Sequence, residues 1–175
     1  MNKLNQNQTI TIFGEPVQIK IQKAEQDGIE AQQNKITIKT SKIKPENILK
    51  EYLKTLLEEK ATEVYNYIKK EGKIEIHGDI KFKVTEKIDN KRQRIAKLQG
   101  NTITLKINTV TLPEEALKYI IAHEIAHIYI KRHTKRFWQI LEAIHPSYKQ
   151  GKDILEKTKN MPNKLQNNHF KVLTT

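Results

Sequence analysis

The chain has no cysteine among its 175 residues. That excludes disulfides and thiolate metal ligands, so any metal must be held by His, Asp or Glu. It also lacks an apolar run approaching the roughly 20 residues that a membrane span requires. Its first residues, MNKLNQNQTI, contain no apolar core of the kind that marks a secretory signal. The expectation is a cytoplasmic protein with no membrane partner. Acidic residues are in deficit, with 20 Asp and Glu against 32 Lys and Arg and a formal net charge of +12. Such a surplus raises nucleic acid as a partner. The lysines are scattered along the chain, however, and many stand beside glutamates, which equally fits a solvated surface. No internal repeat is present, and nothing in the sequence sets the oligomeric state.

A length of 175 residues suits one domain with its own core and is short for two. Hydrophobic periodicity divides it. QTITIFG sets Ile10 and Ile12 against Thr9 and Thr11. PVQIKIQ repeats the alternation with Val17, Ile19 and Ile21, and the intervening GEP predicts a hairpin. NKITIKT, with Ile36 and Ile38, predicts a third strand, giving a sheet with one wet face. The period then changes. From Lys44 to Lys70, residues Ile48, Leu49, Tyr52, Leu53, Leu56, Leu57, Val64 and Ile68 recur at helical spacing, with Pro45 in the first turn and Gly72 at the end. KIEIHGDIKFKVTEKI reads as strand again, with His77 in a turn. Lys91, Arg92, Arg94 and Lys97 form a basic cluster. NTITLKI, Asn101 to Ile107, is a further alternating strand and the candidate edge strand for receiving an extended peptide by strand addition; an internal strand is the alternative. The Asn-rich end of the chain has no clear period and reads as a polar tail.

The chemistry gathers in IIAHEIAHIYIKRH, Ile120 to His133. His123 and His127 are four apart, so on a helix both rings share one face. Glu124 adjoins the first. Together they make the HExxH pattern, in which two neutral imidazoles bind zinc and the glutamate serves as general base. The helix is otherwise apolar, with Ile120, Ile121, Ala122, Ile125, Ala126 and Ile128. Buried imidazoles without partners are costly, so a metal or a dense hydrogen-bond network must satisfy them. Catalytic zinc needs a third protein ligand. His133 qualifies if the chain turns before Thr134, which reads as the cap of the next helix. Glu142 and His145 on or after that helix are alternatives, as is a plain surface role for His133. Pro146 ends the second helix, whose Phe137, Trp138, Leu141 and Ile144 read as core. Tyr148 and His145 are the groups available to stabilise an oxyanion.

HEIAHIYIKRHTKRFW resembles the YgjP-like metallopeptidases: His123, Glu124, His127, His133, Thr134, Phe137 and Trp138 match that family's motif in order. LPEEALKYIIAHE and PSYK resemble its flanking segments. The resemblance covers residues 9 to 155 and is strongest over 100 to 150. It implies an α+β, minimal zincin fold similar to that of the SprT-like proteases. It implies Zn2+ held by His123, His127 and His133, Glu124 as catalytic base, and a peptide or protein substrate. The family's Trp-Gly-Ser-Cys run before the edge strand is replaced here by RIAKLQGN. The expected organisation is one metallopeptidase domain over 1–155, with N-terminal strands and a long helix in 1–70, a catalytic core in 71–155 and a tail over 156–175. Two further readings stand beside a zinc peptidase: a nucleic-acid-associated protease using its basic surface, and a zinc-containing binding module that no longer cuts.

Overall fold

The structure, a computed structural model, describes residues 7–76, 78–91 and 94–159. His77, Arg92 and residues 160–175 of the expected tail lie outside the described residues. Among the described residues the architecture is α+β, with two mixed sheets and four α-helices. No helix among the described residues is long and apolar enough to cross a membrane.

The predicted hairpin forms from β1 (Asn7–Ile12) and β2 (Glu15–Lys23), paired antiparallel. Its two-residue turn is Phe13-Gly14, both at positive φ, the twist that suits a tight hairpin. β4 (Lys35–Thr40) lies parallel to β2, and β3 (Gly28–Gln32) closes the sheet on the far side, in the order β1-β2-β4-β3. Ile10, Ile12, Val17, Ile19, Ile36 and Ile38 are all buried, as their alternation predicts. Helix α1 (Pro45–Glu71) buries Leu49, Leu53, Leu57, Ala61, Val64, Tyr65 and Ile68 along one stripe. Its ends carry Glu46 and Lys69–Lys70 where the helix dipole favours them.

The second sheet has three strands, β5 (Lys81–Thr85), β6 (Ala96–Gln99) and β7 (Thr102–Lys106), in the order β5-β7-β6. The expectation of an edge strand over Asn101–Ile107 is corrected here. β7 is central, parallel to β5 and antiparallel to β6, with Ile103, Leu105 and Ile107 fully buried. The edge nearest the histidine helix is β6. KIEIHGDIKFKVTEKI also contains less strand than its pattern suggests, only Lys81–Thr85.

A 3-10 turn (Ile107–Thr111) leads into α2 (Glu114–Tyr129), and α3 (Lys135–Ile144) and α4 (Tyr148–Lys159) follow. Thr134 is the N-cap residue of α3, without a side-chain capping bond. α4 runs past residue 155 and packs closely on α2. Its contact point is Gly151. A Cβ there would lie 2.1 Å from the Glu115 carbonyl oxygen and 2.8 Å from Tyr119 Cβ. Glycine inside a helix costs about 1 kcal/mol relative to alanine, and this approach explains why it is there. Gly151→Ala is therefore expected to destabilise the protein by roughly 1–3 kcal/mol, the range for overpacking, in urea unfolding. An unchanged or higher midpoint would show that the two helices separate freely.

Candidate metal centre

Helix α2 is buried along most of its circumference, through Ala116, Leu117, Tyr119, Ile120, Ile121, Ala122, Ile125 and Ala126. The strip left open carries His123, Glu124 and His127, each only part-buried. At Ile130 the backbone leaves the helix in an extended conformation. The short link to α3 returns His133 over the strip, as a turn before Thr134 requires. His133 Nε2 lies 3.0 Å from His123 Nε2 and 3.2 Å from His127 Nε2. The ligand atoms of the three residues all fall within 4.8 Å of one another, and they form the group of potential metal ligands found among the described residues.

The alternatives for a third ligand do not converge. Glu142 is exposed and lies 3.9 Å from Lys149. His145 is buried, and the charges that act on it are Glu115 and Lys118 rather than the three imidazoles. Tyr148 does approach, stacked between Tyr119 and Trp138 at 6.4 and 6.1 Å between ring centroids.

Whether the three rings fit a metal can be judged from their nitrogens. His127 Nδ1 is 3.1 Å from the Ile130 carbonyl oxygen. Its N–H donates there, which leaves Nε2 as a lone pair facing the other rings. A proton on His133 Nε2 serves one neighbour well and not both. A single cation accepts all three lone pairs. Imidazole–zinc bonds of 2.0–2.1 Å in a tetrahedral site place nitrogens about 3.3 Å apart, close to the His133 separations. His123 Nδ1 is buried with no hydrogen-bond partner, so the hold on this ring comes from packing. Phe137, fully buried, is the floor, its ring 4.8–4.9 Å from all three imidazoles. The sequence reading of Phe137 as core is correct, and its ring also supports the ligand set. Tyr119 was not anticipated as part of the site. It stands one turn before His123, with ring centroids 5.6 Å apart, and the i, i+4 spacing is the signal that would have found it.

Glu124 faces β6. Its Oε2 accepts a hydrogen bond from the Leu98 backbone N–H at 2.9 Å. Burial raises the pKa of its carboxyl, partly offset by that hydrogen bond and by the positive charge of Arg94. His123 and Glu124 line one cavity of about 720 Å3. Nothing in the periodicity of AKLQ marks Leu98 as a partner for Glu124, because the contact is made by backbone.

A match to the family described as YgjP-like, metallopeptidase domain extends over residues 1–158. The chain belongs to that family. This YgjP-like metallopeptidase domain thus brings three histidines of its HExxH helix and following turn into one potential metal site. No curated protein and no solved structure matches the chain. A peptidase family implies protein substrates for the YgjP-like domain.

Burial, with the neighbouring His127 and His133, lowers the His123 pKa from 6.5 to about 3. In the metal-free protein the unfolded chain then binds more protons between those two values. Stability falls as pH drops through that window, with a limiting slope of about 1.4 kcal/mol per pH unit from this ring. Urea unfolding in chelator between pH 6.5 and 5 should show the slope, and His123→Gln should flatten it. Equal slopes in both proteins would mean that the folded ring is charged.

Proposed function

We propose that the chain is a zinc-dependent peptidase with a zincin-like fold, hydrolysing peptide bonds with Glu124 as general base. The convergence of the His123, His127 and His133 Nε2 atoms is the observation that carries this reading. The domain responsible is residues 1–155, with 1–70 supporting a catalytic part in 71–155. His123, His127 and His133 would hold the ion. When bound, zinc supplies Lewis acidity that polarises a carbonyl and makes water acidic enough to attack near neutral pH. The three imidazole donors suit zinc as the ion. A cytoplasmic location is part of this reading.

The chain's own groups then have distinct tasks. Glu124 accepts a proton at its carboxylate and returns it to the leaving amine. A carboxyl made more basic by burial does this better than an ordinary one. The Leu98 N–H fixes the direction of that carboxylate. His127 is held in one tautomer by Ile130. Phe137 excludes water beneath the rings. β6, the sheet edge beside α2, takes the peptide-binding role first expected of Asn101–Ile107, and its single pairing, with β7, supports this.

The nucleic-acid reading is weakened at one point. Arg94 and Lys97 of the basic cluster both pair with Asp89, which neutralises part of their charge. The non-cutting reading leaves the part-buried Glu124 carboxylate with only its hydrogen bond from the Leu98 N–H as a task.

Elemental analysis should find about one zinc per chain. His133→Ala should lose most of it. Glu124→Gln should retain zinc and lose hydrolysis by about 100- to 10,000-fold, the range for a general base. Full activity of Glu124→Gln would remove Glu124 from the mechanism, and a wild type that takes up no supplied zinc would end the peptidase reading.

A further inference from the structure

The cavity that His123 and Glu124 share extends away from the three imidazoles along α2, β6 and α4. Ile95, Ile120 and Leu155 give it apolar walls. Three cations also line it, Lys91, Arg94 and Lys159, against one carboxylate, Glu124, whose Oε2 is already held by the Leu98 N–H. The charges lie close to the site chemistry. Lys159 acts electrostatically on His123, and Arg94 acts on Glu124. Arg94 gives Nη1 to Asp89, which leaves other guanidinium N–H groups for a ligand. A second, smaller cavity of about 220 Å3 is lined by Lys87, Asn90, Lys91 and Lys106.

An apolar wall with three cations against one lining carboxylate, Arg94 keeping N–H groups beyond its pairing with Asp89, suits a short aliphatic stem ending in a carboxylate. The volume lies within the usual range for a small-ligand pocket and holds one or two amino-acid side chains. Nucleic acid fits less well. A strand needs cations spaced along its backbone and aromatic faces for its bases. Here the cations surround one concavity, and its one aromatic ring, Tyr119, already packs on His123 and Tyr148.

We propose that this cavity is a specificity subsite for a carboxylate-bearing residue next to the scissile bond, so that the preferred substrates are acidic peptides. The proposal rests on the peptidase reading above for the word substrate, while the cavity's preference for carboxylate is a separate property. The carboxylate comes from an Asp or Glu side chain or from the peptide's own C-terminus.

Two measurements on the full, zinc-loaded chain separate these points. The first is kcat/KM over a peptide set in which single positions carry Glu, Gln or Lys, each made with a free and an amidated C-terminus. The second is equilibrium binding of the same peptides to Glu124→Gln, which is expected to bind without cutting. Glu peptides should exceed their Gln counterparts at least 10-fold in both. The preference should fall to within about twofold in Lys91→Ala/Lys159→Ala and turn towards Lys peptides in Lys159→Glu. A preference for free over amidated C-termini that is the same for Glu and Gln peptides assigns the subsite to the chain terminus, and a Glu-over-Gln preference that survives amidation assigns it to a side chain. A binding preference without any hydrolysis upholds the subsite and overturns the peptidase reading. Metal-dependent hydrolysis with equal rates on Glu and Gln peptides, and on free and amidated ones, does the reverse. Absence of both preference and hydrolysis overturns both. If a single-stranded oligonucleotide displaces the acidic peptide from Glu124→Gln and binds more tightly than it does, the cavity belongs to nucleic acid and the proposal fails.

Discussion

Everything at the candidate centre depends on one helix being buried almost all the way round. α2 is packed by α1, α3, α4 and β6, and its apolar residues fill those contacts. Beside these contacts His123, Glu124 and His127 are left part-buried, and they have little freedom. His127 is tied through Nδ1, Glu124 through Oε2, and all three imidazoles rest on Phe137. The enclosing core thus defines the site's rigidity. Desolvation, the largest influence on both His123 and Glu124, is the electrostatic expression of the same packing.

The two sides of the strip differ in character. Towards α3 the surroundings are aromatic, with Phe137 and Trp138 against the His133 ring. Towards β6 and the end of α4 they are positive. Net charge alone does not reveal that asymmetry, because most of the 32 basic residues lie elsewhere. A few cations placed around a low-dielectric concavity matter more to a bound ligand than many on an open surface.

The elements that were legible in the sequence are those with strong periods and clear punctuation. β1, β2, β4 and α1 carry Ile or Leu on a single face, with Gly14 and Pro45 at their boundaries, while α2 is apolar over most of its length and Pro113 and Pro146 punctuate the helices around the site. Three elements were not legible. GIEAQ in β3 is mostly exposed and has no apolar alternation. β6 is four residues long and sits in a run dominated by charge. α4 is Lys-rich, and it buries only Tyr148, Gly151 and Leu155. The central position of β7 was also out of reach, since pattern shows that a strand has a buried face and not which neighbours it takes. At the site, HExxH was readable because its spacing is local to one helix. The choice among His133, Glu142 and His145 was open because it depends on the path of a short link, where periodicity says nothing.

The tip of the first hairpin has a bearing on α2. Phe13 N–H donates to the Val110 carbonyl oxygen at 2.7 Å, and Gly14 lies so near Pro113 that a Cβ would come within 3.2–3.3 Å of it. Pro113 is the residue from which α2 starts. The N-terminal sheet is consequently a wedge under the entry to the histidine helix, and not an ornament that could be trimmed away. Residues remote in sequence from the histidines, and touching none of them, set the angle at which their helix enters the core.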